Sequence, residues 1–159
     1  MPGNYMQGNY RNQGSTGGSP RGNSWQPISS EDKARIQEIF SADPDGKKLV
    51  EFAERIGKKV CEEGLTRSQI RTVFSESRNI DTSWDSSDEV ASLRRLNLLK
   101  PKLAYQASRE SKAGMKSLAA ILQEAIGQAV NLSDKSKGFR TFMELFEAIL
   151  AYHRSYGGQ

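Results

Sequence analysis

At 159 residues the chain is long enough for one domain with its own core, and nothing in it suggests two. Lys and Arg number 23 against 19 Asp and Glu, yet Arg11 and Arg21 lie in an acid-free N-terminal stretch, so the rest is nearly balanced and only a local cluster of cations could recognise a polyanion. The single cysteine, Cys61, excludes an internal disulfide, no apolar run approaches a membrane span and none follows the first residues as in a secretory signal, so a cytoplasmic protein is expected.

Residues 1–27 repeat Gly-Asn-Tyr at 3–5 and 8–10 and continue in Asn, Gln, Gly and Ser. Such a composition cannot bury enough apolar surface to offset backbone entropy, so a disordered tail is expected here, followed by a single domain over 28–159. The tail's tyrosines, Trp25 and two arginines could stack weakly on bases, but a tail without a site is the plainer reading.

From Ile28 onward apolar residues recur at spacings of three and four, with no alternating strand pattern. A first helix starts at Ser29 or Ser30, has Glu31 and Asp32 in its first turn, carries Ile36, Ile39 and Phe40, and stops at Asp43-Pro44-Asp45-Gly46. A second, from about Lys47 to Glu63, turns Leu49, Phe52, Ala53, Ile56 and Val60 inward and ends at Gly64. Thr66 caps a third, which carries Ile70, Val73 and Phe74 to about Asn79; residues 81–87 read as a polar loop. A fourth begins near Ser87 with Asp88 and Glu89 in its first turn. Pro101 lacks an amide and crowds the carbonyl of Asn97, at about 3 kcal/mol inside a helix, which predicts a break there. Of the last two helices, one turns Met115, Leu118, Ala119, Leu122, Ile126 and Val130 inward. The other does the same with Phe139, Phe142, Met143, Phe146, Ile149, Leu150 and His153, and the short link 131–138 makes the two antiparallel. The fold class is all-α, a compact bundle of five or six helices.

The strongest physical signal lies in the fourth helix, where residues 90–109 hold five cations and no carboxylate. At about 100° per residue, Arg94, Arg95, Leu98, Lys102, Tyr105 and Arg109 share one side while Leu96, Leu99, Leu103 and Ala107 share the other. An acid-free face forgoes the i,i+4 ion pairs of a merely soluble helix, so it offers charge and an aromatic ring to something anionic. On the third helix Arg67, Arg71 and Arg78 lie within about 40° of one another and Glu76 well round from them. Arginine forks suit phosphate oxygens, although a solvated face accounts for such a stripe equally well. The second helix holds Lys47, Lys48, Arg55, Lys58 and Lys59, but Glu51 is placed to pair with Arg55 and Glu54 with Lys58, leaving Lys59 the freest.

Catalysis has little to stand on. The one histidine, His153, continues an apolar stripe, and no Cys/His or carboxylate cluster has the spacing of a metal or nucleophile site. No Gly-rich phosphate loop is present, and neither a cofactor nor a metal is expected.

Three stretches, in order, resemble blocks of the small helical subunit of type III-A (Csm-type) CRISPR effector complexes. They are Leu65-Thr66-Arg67-Ser68-Gln69-Ile70-Arg71 with Phe74; Leu98-Leu99-Lys100-Pro101-Lys102-Leu103-Ala104-Tyr105 with Arg109; and Phe142, Glu144 and Phe146-Glu147-Ala148-Ile149 with Ala151-Tyr152-His153. The middle block, a proline flanked by lysines and followed by Leu-Ala-Tyr, is the most specific. The resemblance implies an all-helical, non-catalytic subunit present in several copies beside the backbone subunits, lining the groove where guide RNA and target RNA pair. RNA and DNA cutting would belong to the backbone and large subunits. By position the blocks nominate Arg67, Arg71, Lys100, Lys102, Tyr105 and Arg109 as RNA-binding, to which the helical wheel adds Lys59, Arg78 and Arg94. The tail lies outside the family pattern.

The leading expectation is sequence-independent RNA binding through phosphate contacts, with further copies of the chain and the other effector subunits as partners and no membrane. Two alternatives differ in class. The second helix, Gly64 and the third helix could be a helix-turn-helix of a DNA-binding regulator. The chain could also be a scaffold whose basic faces meet acidic protein surfaces.

Overall fold

A computed structural model describes residues 28–159; the tail expected to be disordered, 1–27, lies outside them. Six α-helices follow in order: α1 (Ser30–Ser41), α2 (Lys47–Glu62), α3 (Arg67–Thr82), α4 (Glu89–Ser108), α5 (Ala113–Asn131) and α6 (Lys135–Ser155), with a single 3-10 turn at Ser86–Asp88 and no strand among the described residues.

The helix starts rest on the side chains the sequence offers. Ser29 accepts the amide of Asp32 at 3.0 Å, Asp88 that of Ala91 at 3.1 Å and Asp134 that of Lys137 at 3.0 Å. Thr66 and Gln69 exchange bonds in a reciprocal capping box, at 3.2 and 2.9 Å. Helix α2 begins after Gly46, at φ 75°, and its amides are served instead by Asp43, whose carboxylate accepts from Lys48 and Leu49 at 3.0 and 2.9 Å. The Asp-Pro-Asp-Gly segment thus ends one helix and starts the next.

Helix α5 is the hub. It packs on α1, α2, α4 and α6 and buries Ile121, Ala125 and Ala129 besides most of its expected stripe, while Val130 is only partly covered. Its alanines let four neighbours approach, so its buried face is wider than expected, while Lys116, Gln123, Glu124 and Gln128 keep one side partly open. Helix α6 buries every residue expected of it, and Leu145 in addition. Phe74 meets Phe146 edge-on at 5.2 Å, and Trp84 stacks on Phe139 at 4.6 Å while donating its indole N–H to Ser136. The segment read as a polar loop is therefore pinned to α6 by its tryptophan, and α3 runs three residues further, to Thr82, than expected.

The predicted break at Pro101 does not occur: α4 is one helix through it. Pro101 and Asn97 both lie on the exposed side, where water can take the freed carbonyl, while Leu96, Leu99, Leu103 and Ala107 are buried on either side of the proline and hold the helix together across it. Packing outweighs one lost bond.

The ion pairs expected along α2 are replaced by partners from other elements. Arg55 pairs with the buried Asp32 of α1 and lies over the ring of Phe52, 5.2 Å from its centroid. Glu54 accepts a bond from the hydroxyl of Tyr156 at 2.9 Å, and Lys58 sits 5.9 Å from that ring. Lys59 is not free, for Glu63 stands 3.6 Å from its ammonium. The bond to Glu54 is the leading cause that raises the Tyr156 hydroxyl above its ordinary pKa of 10.0. A raised value means that this contribution to stability is whole below about pH 10 and fades as the pH climbs through the shifted value. A tyrosinate absorbance titration should therefore show one late-ionising tyrosine that Glu54→Gln returns to the rest; a titration unchanged by that substitution would remove the bond from the account.

Candidate nucleic-acid interface

The nine nominated residues do not form one surface. Helix α3 packs between α4 and α6. Its Ser68, Thr72 and Glu76 face α4, whereas Arg67, Arg71 and Arg78 project from the opposite flank, towards α6. Much of that second flank is already occupied. Arg78 is held by Asp81 at 2.9 Å and Glu147 at 3.5 Å. Arg67 donates its Nε to the carbonyl of Gly158 at 3.0 Å, and its backbone amide bonds to Gln159, because the segment after α6 folds back across the start of α3. Gly158 lies against the imidazole of His153, too close for any side chain, and its amide bonds to the His153 carbonyl at 2.9 Å. Of the three arginines only Arg71 has no hydrogen bond or ion pair among the described residues.

Helix α4 keeps its charge outward. Tyr105 is 61% exposed, the side chain of Lys102 is 62% exposed, and the guanidinium of Arg109 lies 5.5 Å from the Tyr105 ring centroid, a cation–π distance. Arg94 is exposed, and neither it nor Lys100 has an ion pair among the described residues. Lys100 leans round towards α5, its ammonium near Gly127. Arg95, exposed at the other end, reaches back and donates to the carbonyl of Ser83 at 3.0 Å.

Between α3 and α4 runs a groove of about 740 Å³ whose walls include Thr72, Glu76, Lys102, Tyr105, Arg109 and, at its base, the buried Met115. A smaller hollow of about 280 Å³ continues it towards Arg95 and Leu98, and the two share Glu76 and Lys102. That pair, 3.4 Å apart, bridges the helices where the hollows meet. The sequence placed Glu76 well away from the arginine stripe but did not show that it faces Lys102. Only tertiary packing brings together a carboxylate on α3 and an ammonium on α4.

Chemically the groove offers charge, an aromatic plane and hydrogen-bonding edges, but no proton-transfer pair. His153 is fully buried on α6, away from these walls, and its Nε2 lies 2.7 Å from the carbonyl of Leu65, which fixes that nitrogen as the donor.

A family model described as Csm2 Type III-A matches residues 43–159. The match runs from the turn before α2 to the last residue and leaves α1 outside, although Ile36, Ile39 and Phe40 of α1 are buried in the same core. No curated protein and no solved structure matches the chain.

Proposed function

The chain belongs to the Csm2 family of type III-A CRISPR small subunits, and from that premise we propose that it is a non-catalytic, RNA-binding subunit of the effector ribonucleoprotein in antiviral defence. Through the single domain of residues 28–159 it holds the guide RNA–target RNA duplex by its backbone. It acts in the cytoplasm, in several copies, beside the backbone and large subunits and further copies of itself.

The observation that carries this reading is the outward face of α4: Arg94, Lys102 and Arg109 stand with Tyr105 on a stripe without acids of its own, most of it open to solvent. Cations on such a stripe neutralise phosphates and release counterions, and they carry no base code. Arg71 and Lys100 add charge from the flanks. Lys59, Arg67, Arg78 and Lys102 contribute less, because each already serves a carboxylate or carbonyl of its own chain. The burial of His153, the side chain best suited to proton transfer near neutral pH, supports a role without chemistry.

The helix-turn-helix alternative finds little support. Helix α2 packs chiefly on α6, and α3 on α4 and α6, so α2 and α3 do not form the mutually packed pair that a recognition helix needs.

Affinity of the full chain for RNA should fall steeply with salt. Arg109→Ala or Arg94→Ala should each lower the slope of log affinity against log salt by about one unit, and Arg78→Ala by less. Salt-independent binding, or a slope untouched by both α4 substitutions, defeats the reading. Base-specific affinity for a short DNA duplex would restore the regulator, and tight protein partners purified without nucleic acid would restore the scaffold.

A further inference from the structure

We infer that the α3–α4 groove is a receptor for one unpaired guanine base of the bound RNA; this rests on the RNA reading above and adds a base preference to contacts that otherwise carry none.

The groove's charges argue against a phosphate. Glu76 and Glu110 stand in its walls together with Lys102 and Arg109, so an anion lodged there would meet two carboxylates. One oxygen of Glu76, Oε2, is buried and has no hydrogen bond. Lys102 Nζ, 3.4 Å away, supplies charge but is out of line for a hydrogen bond. An ionised carboxylate only accepts, and with 30% of its side chain exposed Glu76 can take an N–H donor from a ligand in the groove.

The other walls fit a planar heterocycle. Tyr105 presents a ring braced on one side by Arg109, and 61% of the residue remains exposed, which is the kind of platform on which unpaired bases stack. Pro101 and Met115 give apolar surface beneath. The oxygen of the Gln69 amide is committed to the α3 cap, whereas the side chain of Gln106 has no hydrogen bond among the described residues.

Guanine matches the Glu76–Lys102 pair best. Its N1–H and N2–H lie side by side and can both donate to the carboxylate, while the adjacent O6 accepts from the ammonium. Adenine and cytosine bring one amine beside an acceptor. Uracil brings one N–H between two carbonyls, both of which the carboxylate repels. The base must be unpaired, since a duplex already uses this edge.

The test compares uridine-tract RNAs that carry a single central guanosine, inosine, adenosine, cytidine or uridine, bound to the full chain at low salt and read by fluorescence anisotropy. Guanosine should bind about tenfold tighter than uridine, with inosine, which lacks the N2 amine, in between. Glu76→Gln should bring the guanosine-to-uridine ratio close to one, and Tyr105→Leu should shrink it. Arg94→Ala should weaken both RNAs together and keep the ratio. A wild-type ratio near one with salt-dependent binding intact overturns the base receptor and spares the phosphate reading. A ratio that survives Glu76→Gln also overturns the receptor. Loss of all RNA binding in the wild-type chain overturns both.

Discussion

Gly57→Val is expected to destabilise the protein by about 3 kcal/mol, enough to lower Tm by roughly 10 °C. Gly57 lies on the buried face of α2 where that helix crosses α6. A Cβ at this position would stand 2.6 Å from the Cβ of Tyr152, 2.9 Å from the backbone nitrogen of His153 and 3.1 Å from the carbonyl of Ile149. Two of those three atoms are α6 backbone and cannot rotate aside, so the helices must separate. Separation would loosen the phenylalanines of α6 that fill the core and the His153 bond to Leu65 together. Gly57→Ala should cost less, because a gain of about 1 kcal/mol in helix propensity partly offsets the clash. Gly127→Ala, in the interior of α5, should go the other way: its Cβ would meet only the Lys100 ammonium, at 3.9 Å, so the propensity gain of about 1 kcal/mol stands nearly unopposed. Thermal unfolding of the three variants checks the set, and a Gly57→Val protein as stable as wild type would mean that α2 and α6 do not cross here.

Those two glycines show where sequence reading ends. Both sit inside helical patterns and look alike there; only the neighbour across the interface gives their substitutions opposite signs. The same limit explains the other differences. Local chemistry was legible: Ser29, Thr66 and Gly64 mark helix ends because capping and left-handed turns depend on near neighbours in the chain. One-sided helices were legible too, since a spacing of three and four is itself the signal. What was not legible depends on partners far away in sequence. The wide buried face of α5 needs four neighbours, Trp84 needs Phe139, and the continuity of α4 through Pro101 needs the core beneath it.

For the candidate site the limit is sharper. Local acids suggested that Arg55 pairs with Glu51 and that Lys59 is the freest cation of α2, whereas Asp32, twenty-three residues away, takes the first and Glu63 the second. The wheel grouped Arg67, Arg71 and Arg78 correctly on one flank, but it could not show that acids and the returning C-terminal segment already engage two of them. The acid-free stripe of α4 stays mostly open, although Glu76 of α3 reaches Lys102 from its side.

A chain carrying Arg94→Glu, Lys100→Glu and Arg109→Glu together should lose RNA binding about a hundredfold even as an isolated subunit. Three phosphate contacts of about 1 kcal/mol each account for two decades of affinity, before any repulsion from the new acids. If, as proposed, several copies line one RNA in the effector, linked sites multiply the effect of the changes, so retention of target RNA there should fall further than in the isolated chain. The informative control is Lys59→Glu with Arg78→Glu. It changes net charge by four where the triple variant changes it by six, a comparable shift, but it acts on cations already held by Glu63, Asp81 and Glu147. If overall charge governs binding, the two variants should weaken it nearly in proportion to charge, with the control at about two-thirds of the triple in log affinity. If the α4 face governs it, the control should stay within about threefold of wild type while the triple variant collapses. Filter binding of the isolated chain and RNA recovery from the purified assembly separate the cases, and equal losses in both variants would move the interface off α4.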